Sequence, residues 1–200
     1  MSIIAANIRW ICNGSYTSVW LFHSGRVRRL RDQRRGARCK AKQRSCLVAF
    51  FDSEGIVHHK YAPDGQTINM VSYVEVLRHL HESVRRKRLE KWQDGDWILH
   101  HNTAPTHTSH IVQQILAKHG TAHLQQPPYS PDLAPSDFFL FPRLKKVLKG
   151  HGFEATEDIK RNLTRTLLDI LKEELAKCSQ HWQKRWVKCV TMEGNYVEDS

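Results

Sequence analysis

Cys46 to Phe51, read as Cys-Leu-Val-Ala-Phe-Phe, is the longest wholly apolar run in the chain, and it constrains the fold more than any other stretch. It is far shorter than the roughly 20 residues needed to cross a bilayer. A short apolar run bounded by turn residues reads as a strand buried on both faces. Asp52-Ser-Glu-Gly55 then supplies a four-residue hairpin turn with glycine at its end, and Ile56 to Ala62 returns as the partner strand.

The residues that follow alternate helix and strand. Gly65-Gln-Thr-Ile-Asn leads into a helix of roughly Asn69 to Trp92, with Val71, Val74, Val76, Leu77 and Leu80 as its apolar stripe. The run Arg85-Arg-Lys-Arg88 near its end complements the helix dipole and needs no polyanion to explain it. Trp97 to Leu99 reads as a third strand. Thr108 or Ser109 caps a helix carrying Ile111, Val112, Ile115 and Leu116, which Gly120 stops. Thr121 to Gln125 is a further strand before Pro127-Pro128. Pro135-Ser136 opens a helix with Asp137 in its first turn, interrupted by Pro142. Thr156-Glu-Asp158 caps a helix with Ile159, Leu163, Leu167 and Ile170 inward, and a last helix groups Leu175, Cys178, Trp182 and Trp186. This order predicts one mixed α/β domain with a C-terminal helical extension.

Charge is distributed unevenly. The net charge is +11, and residues 1–50 hold 11 of the 31 Lys and Arg against one acid, Asp32. The basic block is Arg26, Arg28, Arg29, Arg31, Arg34, Arg35, Arg38, Lys40, Lys42 and Arg44. Such a block binds polyanions by releasing condensed counterions, without reading base sequence. Its self-repulsion also predicts a poorly ordered segment over residues 1–41, set apart from a folded domain over 42–200. The five cysteines, Cys12, Cys39, Cys46, Cys178 and Cys189, show no paired short spacing, so neither a zinc knuckle nor a disulfide scaffold is expected. Asn7 and Arg9 interrupt what would otherwise be the core of a secretory leader.

Two positions carry the candidate chemistry. Asn102 follows a strand in His100-His-Asn-Thr-Ala-Pro-Thr-His107, and Asp137 begins a helix in Tyr129-Ser-Pro-Asp-Leu-Ala-Pro-Ser-Asp137-Phe-Phe-Leu-Phe-Pro142. Ligands at strand ends and in the first turn of a neighbouring helix can converge on one point. Phosphodiester cleavage suits two divalent ions held there by carboxylates. Asp52 and Asp132 sit in turns, where aspartate is at home without any metal. His107 and His110 lack an HExxH frame or a cysteine partner, which argues against zinc. Trp182 and Trp186 stand at helical spacing and read as core rather than as a base-stacking platform.

These motifs give the chain a family likeness. From about Lys42 onward it resembles the catalytic domain of mariner DNA transposases. The matching blocks are FFDSEGIVH from Phe50, HHNTAPTHTSH from His100, PPYSPDLAPSDFFLFP from Pro127, and RWVKC from Arg185 with Gly194 and Tyr196 after it. The resemblance implies an RNase H-like mixed sheet flanked by helices, magnesium or manganese chemistry, DNA as partner, a possible homodimer and action in the nucleus.

Carried over residue by residue, the likeness is incomplete. Asp137 matches the family's third carboxylate. Asn102 stands where the second is aspartate, and Thr103 replaces the asparagine that follows it. The first carboxylate belongs to the opening strand and would fall near positions 5 to 12, yet no Asp or Glu precedes Asp32. Residues 1–40 show no family pattern by sequence, and nothing resembles the family's paired helix-turn-helix domains. The expectation is a mariner transposase-derived domain, ancestrally a metal-dependent DNA strand-cleaving and strand-joining enzyme, with Asp137 and Asn102 as remnants of an impaired site. The alternatives are a non-catalytic nucleic-acid-binding or interaction module and a remnant reading frame.

Overall fold

A five-stranded mixed sheet is the centre of the molecule in this computed structural model, which describes residues 2–12, 20–23, 26–29, 44–64, 66, 68–102, 104–128, 130–148, 153 and 155–192. Its strands are β1 (Ser2–Cys12), β4 (Arg44–Asp52), β5 (Gly55–Tyr61), β6 (Trp97–His101) and β7 (Ala122–Gln125), in the order β5-β4-β1-β6-β7. The expected hairpin forms: β4 and β5 pair antiparallel, with Leu47 beside Tyr61 and Asp52 beside Gly55. β6 pairs parallel with both β1 and β7. Separately, β2 (Trp20–His23) and β3 (Arg26–Arg29) pair as a two-stranded ribbon.

The apolar run at 46–51 is explained by burial on both faces. Cys46, Val48 and Phe50 join Tyr73, Val76, Leu77 and Leu80 of α1 (Met70–Lys87) and Val112 and Leu116 of α4 (His110–Lys118). Leu47, Ala49 and Phe51 point the other way, into Leu140, Phe141, Leu144, Ile159, Leu163 and Leu175. That second layer comprises α5 (Phe141–Leu148), α6 (Thr156–Leu168) and α7 (Lys172–Thr191). Period-two alternation thus serves two cores, and no polar face interrupts the strand.

Several sequence-based expectations are corrected. The boundary at residue 42 does not coincide with the edge of the fold, because β1 lies inside the sheet, hydrogen-bonded on both sides. A central strand need not be wholly apolar when its ends reach the rim. The helix expected from Asn69 to Trp92 breaks at Arg88, whose ψ of 53° leaves helical space, and α2 (Leu89–Gln93) continues beyond it. Asn69 caps α1, accepting from the Ser72 N–H at 2.9 Å. Val71 is 64% exposed and falls outside the stripe, which Tyr73, His81 and Val84 complete instead.

A short helix, α3 (Pro105–Thr108), precedes α4, with Ser109 between them. Gly120, at φ +61°, ends α4 in the left-handed conformation that glycine adopts without strain. Pro142 does not interrupt its helix: the preceding turn, Ser136–Leu140, is wound as π-helix and runs into α5. Such a widened turn spares the hydrogen bond that a proline cannot donate. No described helix is long and apolar enough to cross a membrane.

Candidate functional site

Asn102 is held in place by histidines beneath it. His101 ends β6 fully buried and stacks parallel to His107 of α3, with ring centroids 5.2 Å apart and planes 3° from parallel. The buried Tyr73 ring also stacks on His107 at 4.3 Å, and its hydroxyl lies 3.4 Å from His101 Nδ1. His107 Nδ1 donates to the Asn102 carbonyl at 3.3 Å, while Asn102 Oδ1 accepts from the Ala104 N–H at 3.2 Å. The asparagine amide oxygen therefore turns back onto its own loop, as an Asx turn does. Burial pushes His107 down to about 4 and His101, with help from neighbouring imidazoles, to about 3. Both rings are neutral at pH 7, so this stack adds no positive charge next to Asn102.

Asp137 arrives from the other side. Beyond β7, the Gln126 N–H donates to the His101 carbonyl at 3.1 Å, and Gln126 Nε2 donates to the Ser130 carbonyl at 2.6 Å. A 3-10 turn at Pro131–Leu133 then leads to Asp137, half-buried in the first turn after Pro135, with its N–H on the Ala134 carbonyl at 2.8 Å. α7 fastens this segment to β6. Trp182 Nε1 donates to the Leu133 carbonyl at 2.7 Å, and its ring meets His100 edge-on at 4.9 Å. Arg185 Nη1 donates to the Asp132 carbonyl at 3.1 Å while its guanidinium lies 4.3 Å over Phe138. The end of β6 and the Asp137 turn are thus tied through one helix. The RWVKC block at Arg185 was the sequence trace of that tie, although its positioning role is not readable from spacing.

Comparison with known proteins now bears on this arrangement. A family model described as "Transposase (partial DDE domain)" matches residues 29–94. Mariner Mos1 transposase of Drosophila mauritiana is 32% identical over 158 residues, which is 78% of this chain and 46% of that protein. The solved Mos1 catalytic domain, in a structure with Raltegravir and Mn, superposes with a TM-score of 0.77 at 26% identity, covering 98% of this chain and 84% of that one. The chain belongs to the mariner transposase family.

Its fold is accordingly the RNase H-like fold of the mariner catalytic domain, and the superposition takes in the N-terminal residues that carry no legible family motif. A pre-cleavage Mos1 transpososome gives a TM-score of 0.79, with 57% of that chain covered. Human histone-lysine N-methyltransferase SETMAR is 26% identical over 152 residues, 22% of its length. The chain spans about half or less of the length of the curated relatives it matches.

The remaining sequence candidates are distributed as follows. Asp52 sits at the hairpin tip, accepting from the Glu54 and Gly55 N–H groups at 2.9 and 3.0 Å and pairing with Arg88, so it serves the turn. Asp132 is buried in the 3-10 turn. Trp182 is core, as expected, and Trp186 is half-buried beside it. Of the basic block, Arg26, Arg28 and Arg29 lie on β3 and Arg44 begins β4. Arg31, Arg34, Arg35, Arg38, Lys40 and Lys42 lie outside the described residues. Sequence reasoning missed β2, β3 and α3, and, closest to the site, β1, despite its alternation of Asn7 and Arg9 with Ile8 and Trp10.

Divalent metal chemistry implies a donor set rich in carboxylates. Of the two matched positions, Asp137 brings one charge and Asn102 brings none, with its amide oxygen already accepting from Ala104. Among the described residues, no group of three or more His, Cys, Asp or Glu side chains is placed to hold a metal ion. Asp137 and Asn102 by themselves do not fit a two-metal centre.

Proposed function

We propose that this chain is a mariner transposase-derived domain whose strand-cleaving site is disabled and whose retained role is DNA contact. The observation that carries the reading is Asn102. It stands at the end of β6, where the family has an aspartate, and its side-chain oxygen closes a local turn. A neutral amide replaces a charge that two dications would need, and binding weakens as ligand charge is removed. Asp137 keeps its place at the start of its helix, where an acid also complements the helix dipole without any metal.

DNA as partner is supported by the +10 concentrated in residues 1–50 and by the likeness to a Mos1 paired-end complex with the left transposon end and to the pre-cleavage transpososome. Non-specific phosphate contact follows from that charge distribution. Pairing of two copies and action in the nucleus follow the same reading. The likeness to part of SETMAR supports the view that such a domain can persist in proteins named for another activity.

The test is nicking of supercoiled DNA in magnesium or manganese, with Asp137→Ala beside the unmodified chain. The expected result is equal, background-level nicking by both. Efficient cleavage by the unmodified chain, abolished by Asp137→Ala, overturns the reading.

A further inference from the structure

β1 brings a residue to the site that the motifs did not point to. Its parallel register with β6 sets Ser2 beside Trp97, Ile3 beside Ile98, Ile4 beside Leu99 and Ala5 beside His100. Carried on by two residues, that register puts Asn7 level with Asn102. The antiparallel register with β4 holds Asn7 opposite Ala49, well inside the strand. Residues two apart on a strand share a face, so Asn7 lies on the same face of β1 as Ala5. Ala5 packs in the cluster of Leu140 and Phe141, the helical stretch that Asp137 opens. Asn102 directly follows β6, two residues after His100, whose ring meets Trp182 and through it the Leu133 carbonyl. Three positions from three parts of the fold thus gather at one end of the sheet: Asn7 on β1, Asn102 just past β6, and Asp137 in the turn that packs beside Ala5.

We propose that Asn7 occupies the position of the family's first carboxylate, so that two of the three acidic positions carry amides in an otherwise intact scaffold. The opening strand is therefore present and correctly paired, and what it lacks is a single charge. Asparagine and aspartate are nearly isosteric, while an amide oxygen can ligate a hard cation but brings no charge. Asp137 alone sets one negative charge against the four positive charges of two divalent ions. Restoring both acids gives three, spread over three elements, without grafting any segment. This inference rests on the reading of the chain as a disabled mariner domain.

The experiment is direct Mn2+ titration by calorimetry. It compares the unmodified chain, Asn7→Asp, Asn102→Asp, the double variant, and the double variant carrying Asp137→Ala. A register control pairs Arg9→Asp with Asn102→Asp. The double variant is expected to bind Mn2+ roughly tenfold or more tightly than either single variant, since affinity at oxygen sites follows ligand charge count. Asp137→Ala should remove that gain, and the Arg9→Asp control should lack it.

Three clustered acids also repel, so the double variant should melt lower in chelator and recover with Mn2+. Should it fail to fold, Asn7→Asp alone, titrated against the unmodified chain, decides the matter. The inference is overturned if Asn7→Asp adds nothing to Asn102→Asp, adds nothing alone in that fallback, or is matched by Arg9→Asp. DNA retention by the unmodified chain in chelator reports separately on the DNA-binding reading, so failure of one is not failure of the other.

Discussion

Arg88 grips both carboxylate oxygens of Asp52, with Nε 2.8 Å from Oδ2 and Nη2 2.9 Å from Oδ1, and the Asp52 side chain is wholly shielded from solvent. The pair joins the β4–β5 hairpin tip to the break between α1 and α2. Lys91 adds a contact to Asp52 at 3.3 Å and another to Glu54. An acid with two backbone donors and a bidentate guanidinium has its lone pairs occupied, which accounts for Asp52 without a metal.

Removing one partner of such a buried pair leaves the other charge uncompensated. Asp52→Ala should therefore lower unfolding free energy by roughly 3–5 kcal/mol, measured by urea titration at pH 7. Burial pushes the Asp52 carboxyl up, but the Arg88 hydrogen bonds and charge outweigh it and hold the group below its ordinary value of 3.8. Its contribution is present above pH 3.8 and is lost as pH falls through the folded value. A loss below about 1 kcal/mol, the range of exposed pairs, would show that the hairpin tip is anchored by packing instead.

Five histidines predict a second acid sensitivity at higher pH. Burial lowers His58, His81, His100 and His107 to about 4 and His101 to about 3, from an ordinary 6.5. Each is neutral in the folded state and binds a proton on unfolding between those values. Stability is thus fully present above pH 6.5 and declines as pH falls toward 4. One site with this displacement is worth on the order of 3 kcal/mol once pH is below both values. Urea midpoints should fall steeply across this window, before Asp52 protonates. A flat profile between pH 6.5 and 4.5 would sink the assignment of these rings as neutral in the folded state.

How much of this was legible follows from where each signal resides. The β4–β5 hairpin could be read because its apolar run, turn and return strand are contiguous, and Asn102 and Asp137 because a strand end and a helix start are local features. β1 could not. Its Asn7 and Arg9 looked like breaks in an apolar leader, and its membership depends on pairing with β4 and β6, distant in sequence. The break at Arg88 was equally hidden, since the residue there pairs with Asp52 of another element, distant in sequence. The π-wound turn before Pro142 leaves no mark in composition, so a proline that reads as a stop becomes part of α5.

Trp182 fastens α7 to the segment before Asp137, and the two parts of that role can be separated. Trp182→Phe keeps most of the ring but leaves the Leu133 carbonyl without its indole donor, which should cost roughly 1–3 kcal/mol. Trp182→Ala also opens a cavity against His100 and should cost about 3–5 kcal/mol. Hydrogen exchange should show faster opening at Leu133 to Asp137 in both variants, ahead of the β4–β5 hairpin. Equal acceleration everywhere would mean that α7 supports the whole domain and not this segment.

The proposed binding of DNA invites a truncation that the fold advises against. Deleting residues 1–40 would remove most of the basic block together with β1, and any weakening of binding would then be confounded with removal of the central strand. Charge neutralisation avoids this. Replacing Arg31, Arg34, Arg35, Arg38, Lys40 and Lys42 by glutamine leaves β1, β3 and β4 untouched. Affinity for duplex DNA should fall, and the slope of log K against log salt should become shallower by up to about 0.9 for each phosphate that is no longer neutralised. Melting temperature should hold, because every residue that forms the two described cores is kept. Unchanged affinity and slope would place DNA binding on the near-neutral body of residues 51–200, and the basic block would then be a solvated segment with no part in it.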